Sequence, residues 1–274
     1  MSQTCWRKHF VVLCVFLCSG CFAHGELHSQ IEAVSAEIAR DLKNARLYLR
    51  RAELQRLHGD FTSALADLKR AEELDPSLSL VELARGRTYA GFELPELALN
   101  AFNRFLQREP RNAQGHLERA RTLRKLGKFA DAHEGFCNAI ALLKTPEPDV
   151  YLEQIQVIEA QGDAKLVQAL NVLETAMNRC GQLLVLQERA LSIEVRLKRY
   201  EPALRRIDAI LESAERKEYW LLQRGEILQQ AGRTAEAGED FARAEEAFAA
   251  LPAQQRNSVS GAALLEKLRQ KAGR

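Results

Sequence analysis

Small and apolar residues recur along this chain at the spacing of a helix face. In the first block, Ala64, Leu68 and Ala71 stand four and three residues apart, between a Gly59-Asp60 turn and Pro76. That spacing puts all three on one side of a helix, and the flanking glycine and proline mark its limits. The alanine returns at Ala98, Ala132, Ala169, Ala203 and Ala237, every step being 34 residues except one of 37. Phe102, Phe136, Leu173, Ile207 and Phe241 follow four residues on, then Phe105, Ala139, Ala176, Ile210 and Ala244. A period near 34 predicts stacked helical pairs, each covering the face its neighbour leaves open.

The repeats fall near 45–78, 79–112, 113–147, 148–182, 183–217 and 218–251, within a segment spanning 45–252. Glu93 and Pro95 occupy the turn of the second, and Lys198 replaces the turn glycine of the fifth. Extra residues around Asp163-Ala164-Lys165 account for the longer step. Upstream, Leu27, Ile31, Val34, Ile38 and Leu42 predict an amphipathic N-terminal capping helix within 24–44. Downstream of Pro252, a polar link from Gln254 to Ser260 leads to a C-terminal cap within 253–274 carrying Leu264, Leu265 and Leu268. Strand-like alternation is missing throughout.

Residues 1–23 stand apart. Arg7-Lys8 precedes an apolar run from Phe10 to Cys18, the layout of a secretory signal peptide and too short for a transmembrane span. Cleavage after Ala23 would leave His24 as the mature N-terminus. Alternatively, Ser19-Gly20-Cys21 resembles a lipobox, and Cys21 would be lipidated. The expectation is an exported protein, periplasmic or extracellular, with a lipid anchor to the envelope as the alternative. Cys137 and Cys180 are expected as two thiols, a disulfide being the other reading that export permits.

Composition narrows the function classes. With 46% hydrophobic residues, 28% charged and a net charge of +2, the chain has ample core material and no basic excess for nucleic acid. It contains no phosphate loop, zinc spacing or nucleophile elbow, so no enzyme and no cofactor is expected. Carboxylates such as Glu72-Glu73, Glu236, Glu239-Asp240 and Glu245-Glu246 read as solvated faces with i,i+4 pairing. His58 reads as exposed beside its turn, and His116 and His133 as packing residues. A metal reading attaches only to His24 and His28, since an N-terminal amine and two imidazoles could hold copper.

Small residues in five of the six first helices (Ala52, Gly86, Ala120, Ala190 and Gly225, each preceded by arginine, with Gln154-Ile155 standing in the fourth), the glycine turn, the Ala-x-x-x-Phe-x-x-Ala block and the closing proline together resemble the tetratricopeptide repeat, here of an exported bacterial type. The resemblance implies an all-α, right-handed solenoid of about six helix-turn-helix repeats with capping helices at both ends. It also implies a non-catalytic scaffold whose first helices line a concave groove for a partner peptide or helix. Projected onto that groove, Arg46, Leu49, Arg50, Leu83, Arg87, Leu117, Arg121 and Arg124 form an aliphatic stripe flanked by arginines. Such a stripe suits an acidic, amphipathic segment of a protein partner. The competing reading buries these leucines between repeats.

Overall fold

The computed structural model describes residues 10–271, with side chains from residue 25 onward. Every regular element among them is helical, as the period predicts. The chain divides into two compact units, Met1–Lys144 and Thr145–Arg274.

In the first unit, α1 (Phe10–Arg40) precedes three helical pairs. These are α2 (Ala45–His58) with α3 (Phe61–Leu74), α4 (Leu80–Gly91) with α5 (Pro95–Arg108), and α6 (Ala113–Lys125) with α7 (Phe129–Leu142). Each pair packs on itself and on the next. Val34 and Ile38 of α1 are buried against Tyr48 and Ala52 of α2, so α1 covers the open side of the first repeat.

Asn44, Asp60 and Asn112 cap the helices that follow them, their side-chain oxygens accepting the backbone N–H of Arg46, Ser63 and Gly115. Pro95 sits in the first turn of α5, where its missing N–H costs nothing. The periodic residues form the core: Ala64, Leu68, Ala71, Ala98, Phe102, Phe105, Ala132, Phe136 and Ala139 are all fully buried.

The second unit holds α8 (Pro148–Glu159), α9 (Leu166–Cys180), α10 (Leu184–Arg196), α11 (Tyr200–Ser213), α12 (Glu218–Gln230), α13 (Thr234–Ala249), α14 (Ala253–Arg256) and α15 (Val259–Lys271). A short 3-10 segment, Asp163–Lys165, joins α8 to α9 and takes up the extra residues of the 37-residue step. The polar link before the final helix is partly helical, as α14. Leu268 of α15 is buried with Phe241, Ala244 and Phe248, and Leu264 and Leu265 pack beside it, closing the last repeat.

The need for small residues in the first helices is steric. A Cβ on Gly225 would lie 2.5 Å from the Phe241 ring, and one on Gly86 would meet the Phe102 ring more closely still. Helices in these pairs therefore approach to glycine distance at that level.

Candidate functional site

With no constellation of catalytic type in the sequence, the candidate surfaces are the exposed rows of the first helices. In the first unit these are α2, α4 and α6, whose charged side chains form a ladder. Arg56 Nε donates to Glu53 Oε2 at 2.7 Å, and Glu53 Oε1 lies 3.5 Å from Arg87 Nη1. Arg87 Nε donates to Glu118 Oε1 at 3.2 Å, which also accepts from Gln114 at 2.9 Å. Glu53 and Glu118 lie 34 and 31 residues from Arg87, so the period itself brings acid and base together on neighbouring first helices. Arg50 reaches back instead, pairing with Glu37 of α1 at 3.5 Å.

The predicted site residues separate accordingly. Arg50 is exposed, Leu49, Arg87, Arg121 and Arg124 are half-buried, and Arg121 and Arg124 follow Arg87 in the row on α6. Leu83 and Leu117 are buried, which corrects the expectation of an open leucine stripe. Leu83 belongs to the core of its own repeat with Ala98, Phe102 and Phe105, because α4 touches α2, α5 and α6 and has few turns left uncovered. Leu49 alone of the three stays partly open. Arg46 is exposed at the start of α2, where it lines a hollow beside the loop from Asp75 to Leu80 with Phe105 and Glu109, apart from the ladder.

A second set of arginines, those preceding the small residue, does structural work that the sequence reading left open. Arg51 binds both carboxylate oxygens of Asp67 at 2.7 Å and donates to Ser35 Oγ at 3.1 Å. Arg224 binds Asp208 at 2.7 Å and Asp240 at 2.7 Å. Arg119 donates to Asn103 Oδ1 at 2.7 Å. Each partner stands 16 residues before or after the arginine, on the second helix of a neighbouring or the same pair, or on α1 in the case of Ser35. Arg85 uses Glu82 and Glu72, both at 2.6 Å. Asp240, expected on a solvated face, is therefore buried, held by Arg224 and by Arg243 at 3.3 Å. The spacing of 16 was the signal that could have identified these pairs.

In the second unit the first helices α8, α10 and α12 leave two hollows, neither foreseen from the sequence. One, of about 450 Å³, is lined from α10 and α12 by Glu188, Leu191, Ser192, Val195, Tyr219, Trp220, Gln223 and Glu226 among others. The other, of about 300 Å³, is lined from α8 and α10 by Leu152, Gln156, Val185, Arg189 and the same Glu188 and Ser192. Trp220 is rooted in the core, and its ring meets the half-exposed Tyr219 ring edge-on at 4.9 Å. Burial, with the neighbouring carboxylates of Glu188 and Glu226, pushes the Tyr219 phenol up from its ordinary value. The signal lay in the aliphatic run Leu183-Leu184-Val185 and the Tyr219-Trp220 pair, both at first-helix starts.

The remaining candidates are dispersed. Cys21 and His24 lie outside the residues whose side chains are described. His28 pairs with Glu32 at 3.3 Å, and its ring centroid lies 6.5 Å from that of His58, which is half-buried rather than exposed because α1 passes beside it. Among the described residues no group of three or more His, Cys, Asp or Glu side chains could hold a metal, so the copper reading gains no support here. His116 Nε2 lies 2.9 Å from the Pro110 carbonyl. Cys137 and Cys180 are thiols, the first 3.7 Å from His133 Nε2 and the second donating to the Pro146 carbonyl at 3.3 Å. Among the described residues no helix is long and apolar enough to cross a membrane.

The family model described as tetratricopeptide repeat matches residues 24–79 and 83–163, together half of the chain. No curated protein matches it by sequence. Among solved structures, a tetratricopeptide repeat protein from Parabacteroides merdae is similar at a TM-score of 0.51 and 17% identity, over 89% of this chain and 93% of that one. YrrB, described as a TPR protein with an unusual peptide-binding site, is similar at 0.54 and 20% identity, over 66% of this chain and 92% of its own. PilF of Pseudomonas aeruginosa gives 0.50 and 17% identity, over 85% and 99%. At these identities the likeness is one of fold.

Proposed function

The chain belongs to the tetratricopeptide repeat family, and on that premise we propose that it is a non-catalytic scaffold holding a peptide or helix of a partner protein in the groove of its first helices. The carrying observation is the ladder Arg56–Glu53–Arg87–Glu118 across α2, α4 and α6. It holds long charged side chains in one ordered row before any partner arrives, which lowers the ordering cost of binding. An acidic, amphipathic segment would exchange its own carboxylates for Glu53 and Glu118 on Arg87, with Arg50, Arg121 and Arg124 extending the row and Leu49 giving apolar contact. Because Leu83 and Leu117 are consumed by the core, charge and shape carry this recognition more than burial does. That YrrB is described as having a peptide-binding site lends the scaffold reading support from a similar fold.

The setting we propose is the cell envelope. It rests on the leader pattern of residues 1–23, with release after Ala23 or lipidation at Cys21. Intact mass of the protein from membrane and soluble fractions separates the two, a diacylglyceryl increment at Cys21 marking the second and an unprocessed chain in both fractions sinking export.

The scaffold reading is tested with an array of labelled acidic amphipathic peptides. The chain should retain a subset of them, and the Arg50→Glu/Arg87→Glu/Arg121→Glu variant should lose that subset at unchanged helical content. Retention that ignores the three reversals, or no retention at all, overturns the placement on α2, α4 and α6.

A further inference from the structure

Resting on the scaffold reading, we infer that the first-helix row of the second unit is a docking groove of opposite sign, which receives an arginine side chain from an extended partner segment between Glu188 and Tyr219. The two hollows share Glu188 and Ser192, so one segment lying along α10 passes both. Apolar walls come from Leu191, Val195 and Trp220 in one and Leu152 and Val185 in the other, while Ser192, shared by both, offers a hydroxyl to a peptide backbone.

Charge complementarity selects the side chain. Glu188 is exposed and, among the described residues, makes no ion pair and no hydrogen bond. Glu226, across the larger hollow, accepts from Gln223 at 3.1 Å and lies 3.6 Å from Lys271 Nζ. The two arginines on these walls are already committed: Arg189 pairs with Glu159, and Arg196 pairs with Glu159 at 2.7 Å and Asp163 at 2.6 Å. The hollows thus keep one unmatched carboxylate beside an aromatic face. A planar guanidinium fits both, bonding a carboxylate with its edge while its face stacks on the Tyr219 ring. Trp220 fixes that ring edge-on, so the aromatic wall stands ready before the ligand enters.

The test is fluorescence anisotropy of the full chain with labelled peptides of one otherwise uncharged sequence, differing only in a central Arg, Gln or Glu. The Arg peptide should bind at least about tenfold more tightly than the Gln peptide, an interaction of the size expected for a charge-assisted pair. Glu188→Gln should erase that preference while leaving the Gln peptide's affinity unchanged. Tyr219→Leu should weaken the Arg peptide most, whereas Tyr219→Phe should retain it. Glu188 is exposed and holds no ion pair or hydrogen bond in the fold, so its variant should keep the fold, which circular dichroism checks. Equal binding of the three peptides, an Arg preference that survives Glu188→Gln, or no binding by any of them overturns the inference. The acidic peptides of the first-unit test run alongside: their failure alone sinks the placement on α2, α4 and α6, and failure of the Arg peptide alone sinks the groove on α10.

Discussion

Arg51 and Asp67, sixteen residues apart, join α2 to α3 through two parallel bonds of 2.7 Å each. Arg224 and Asp240 repeat the relation between α12 and α13 at 2.7 Å. A fork-shaped cation thus bridges the two helices of a pair beside the contact where small residues let them approach. Hydrogen bonding to Asp67 holds the Arg51 guanidinium above its already high ordinary pKa, so the arginine keeps its charge at every working pH.

Neutralising Asp67 leaves Arg51 without its counter-charge at a helix junction, and neutralising Asp240 leaves Arg224 with Asp208 alone. Asp67→Asn is expected to cost about 2 kcal/mol, and Asp240→Asn, whose carboxylate is more deeply buried, about 3 kcal/mol. Urea unfolding followed by circular dichroism checks both. Equal and negligible shifts of the midpoint would mean that these bridges decorate the junctions without holding them.

Glycine positions divide by what surrounds them. Gly86→Ala and Gly225→Ala each drive a methyl group into a phenylalanine ring, that of Phe102 being fully buried and Phe241 nearly so, and should cost about 1–3 kcal/mol. Gly238, on α13 with nothing within 4 Å of its added Cβ, is the control. There alanine should stabilise by up to about 1 kcal/mol through helix propensity. Thermal unfolding of the three variants should move in these opposite directions.

The parts of the fold legible in the sequence are those governed by the period. Ala64, Leu68 and Ala71 and their equivalents announce a face that must be buried, and the structure buries it. Side-chain direction is a different matter. Leu83 and Leu117 share the spacing expected of a ligand-facing stripe, yet α4 and α6 are enclosed on several sides and their leucines turn into the core. Arg87 looks available in sequence because Glu53 and Glu118, its partners, lie a full repeat away. Asp240 looks solvated because its acidic neighbours mask a contact made across 16 residues. The hollow between α10 and α12 arises where Leu191 and Ile227 sink into the row while Tyr219 stands at its rim, and the Tyr219-Trp220 pair marks one wall in the sequence without showing which helix it faces.

Two turns carry left-handed backbone without glycine. Glu93 has φ 60° and Lys198 φ 57°, where Gly59, Gly127 and Gly232 occupy the same place in other repeats at φ 71° to 88°. An L-residue in that region costs roughly 1–2 kcal/mol, part of which glycine returns as unfolded-state entropy. Glu93→Gly and Lys198→Gly should each therefore raise stability by about 0.5–1 kcal/mol. A fall in melting temperature in either variant would show that the side chain, and not the backbone, sets the energy of the turn.

One source of acid sensitivity lies at the cap of α3. Asp60 accepts the Ser63 N–H at 3.0 Å, and its hydrogen bonds to Ser63, then the nearby His58, hold its carboxyl below the ordinary 3.8. A depressed folded pKa means that the unfolded chain binds the proton more readily. The stabilising share is then complete above the unfolded value and is lost as pH falls through the lower folded one. Asp60 is almost fully open to solvent, so screening keeps the effect small. Asp60→Ala should be less stable than the parent chain at pH 7, and the gap should narrow as pH drops below 3.8. Stability compared at matched pH by urea titration reads this directly. A gap that stays constant down to the acid limit would assign the cap's contribution to the neutral hydrogen bond alone, with no share from the carboxylate charge at the positive end of the helix dipole.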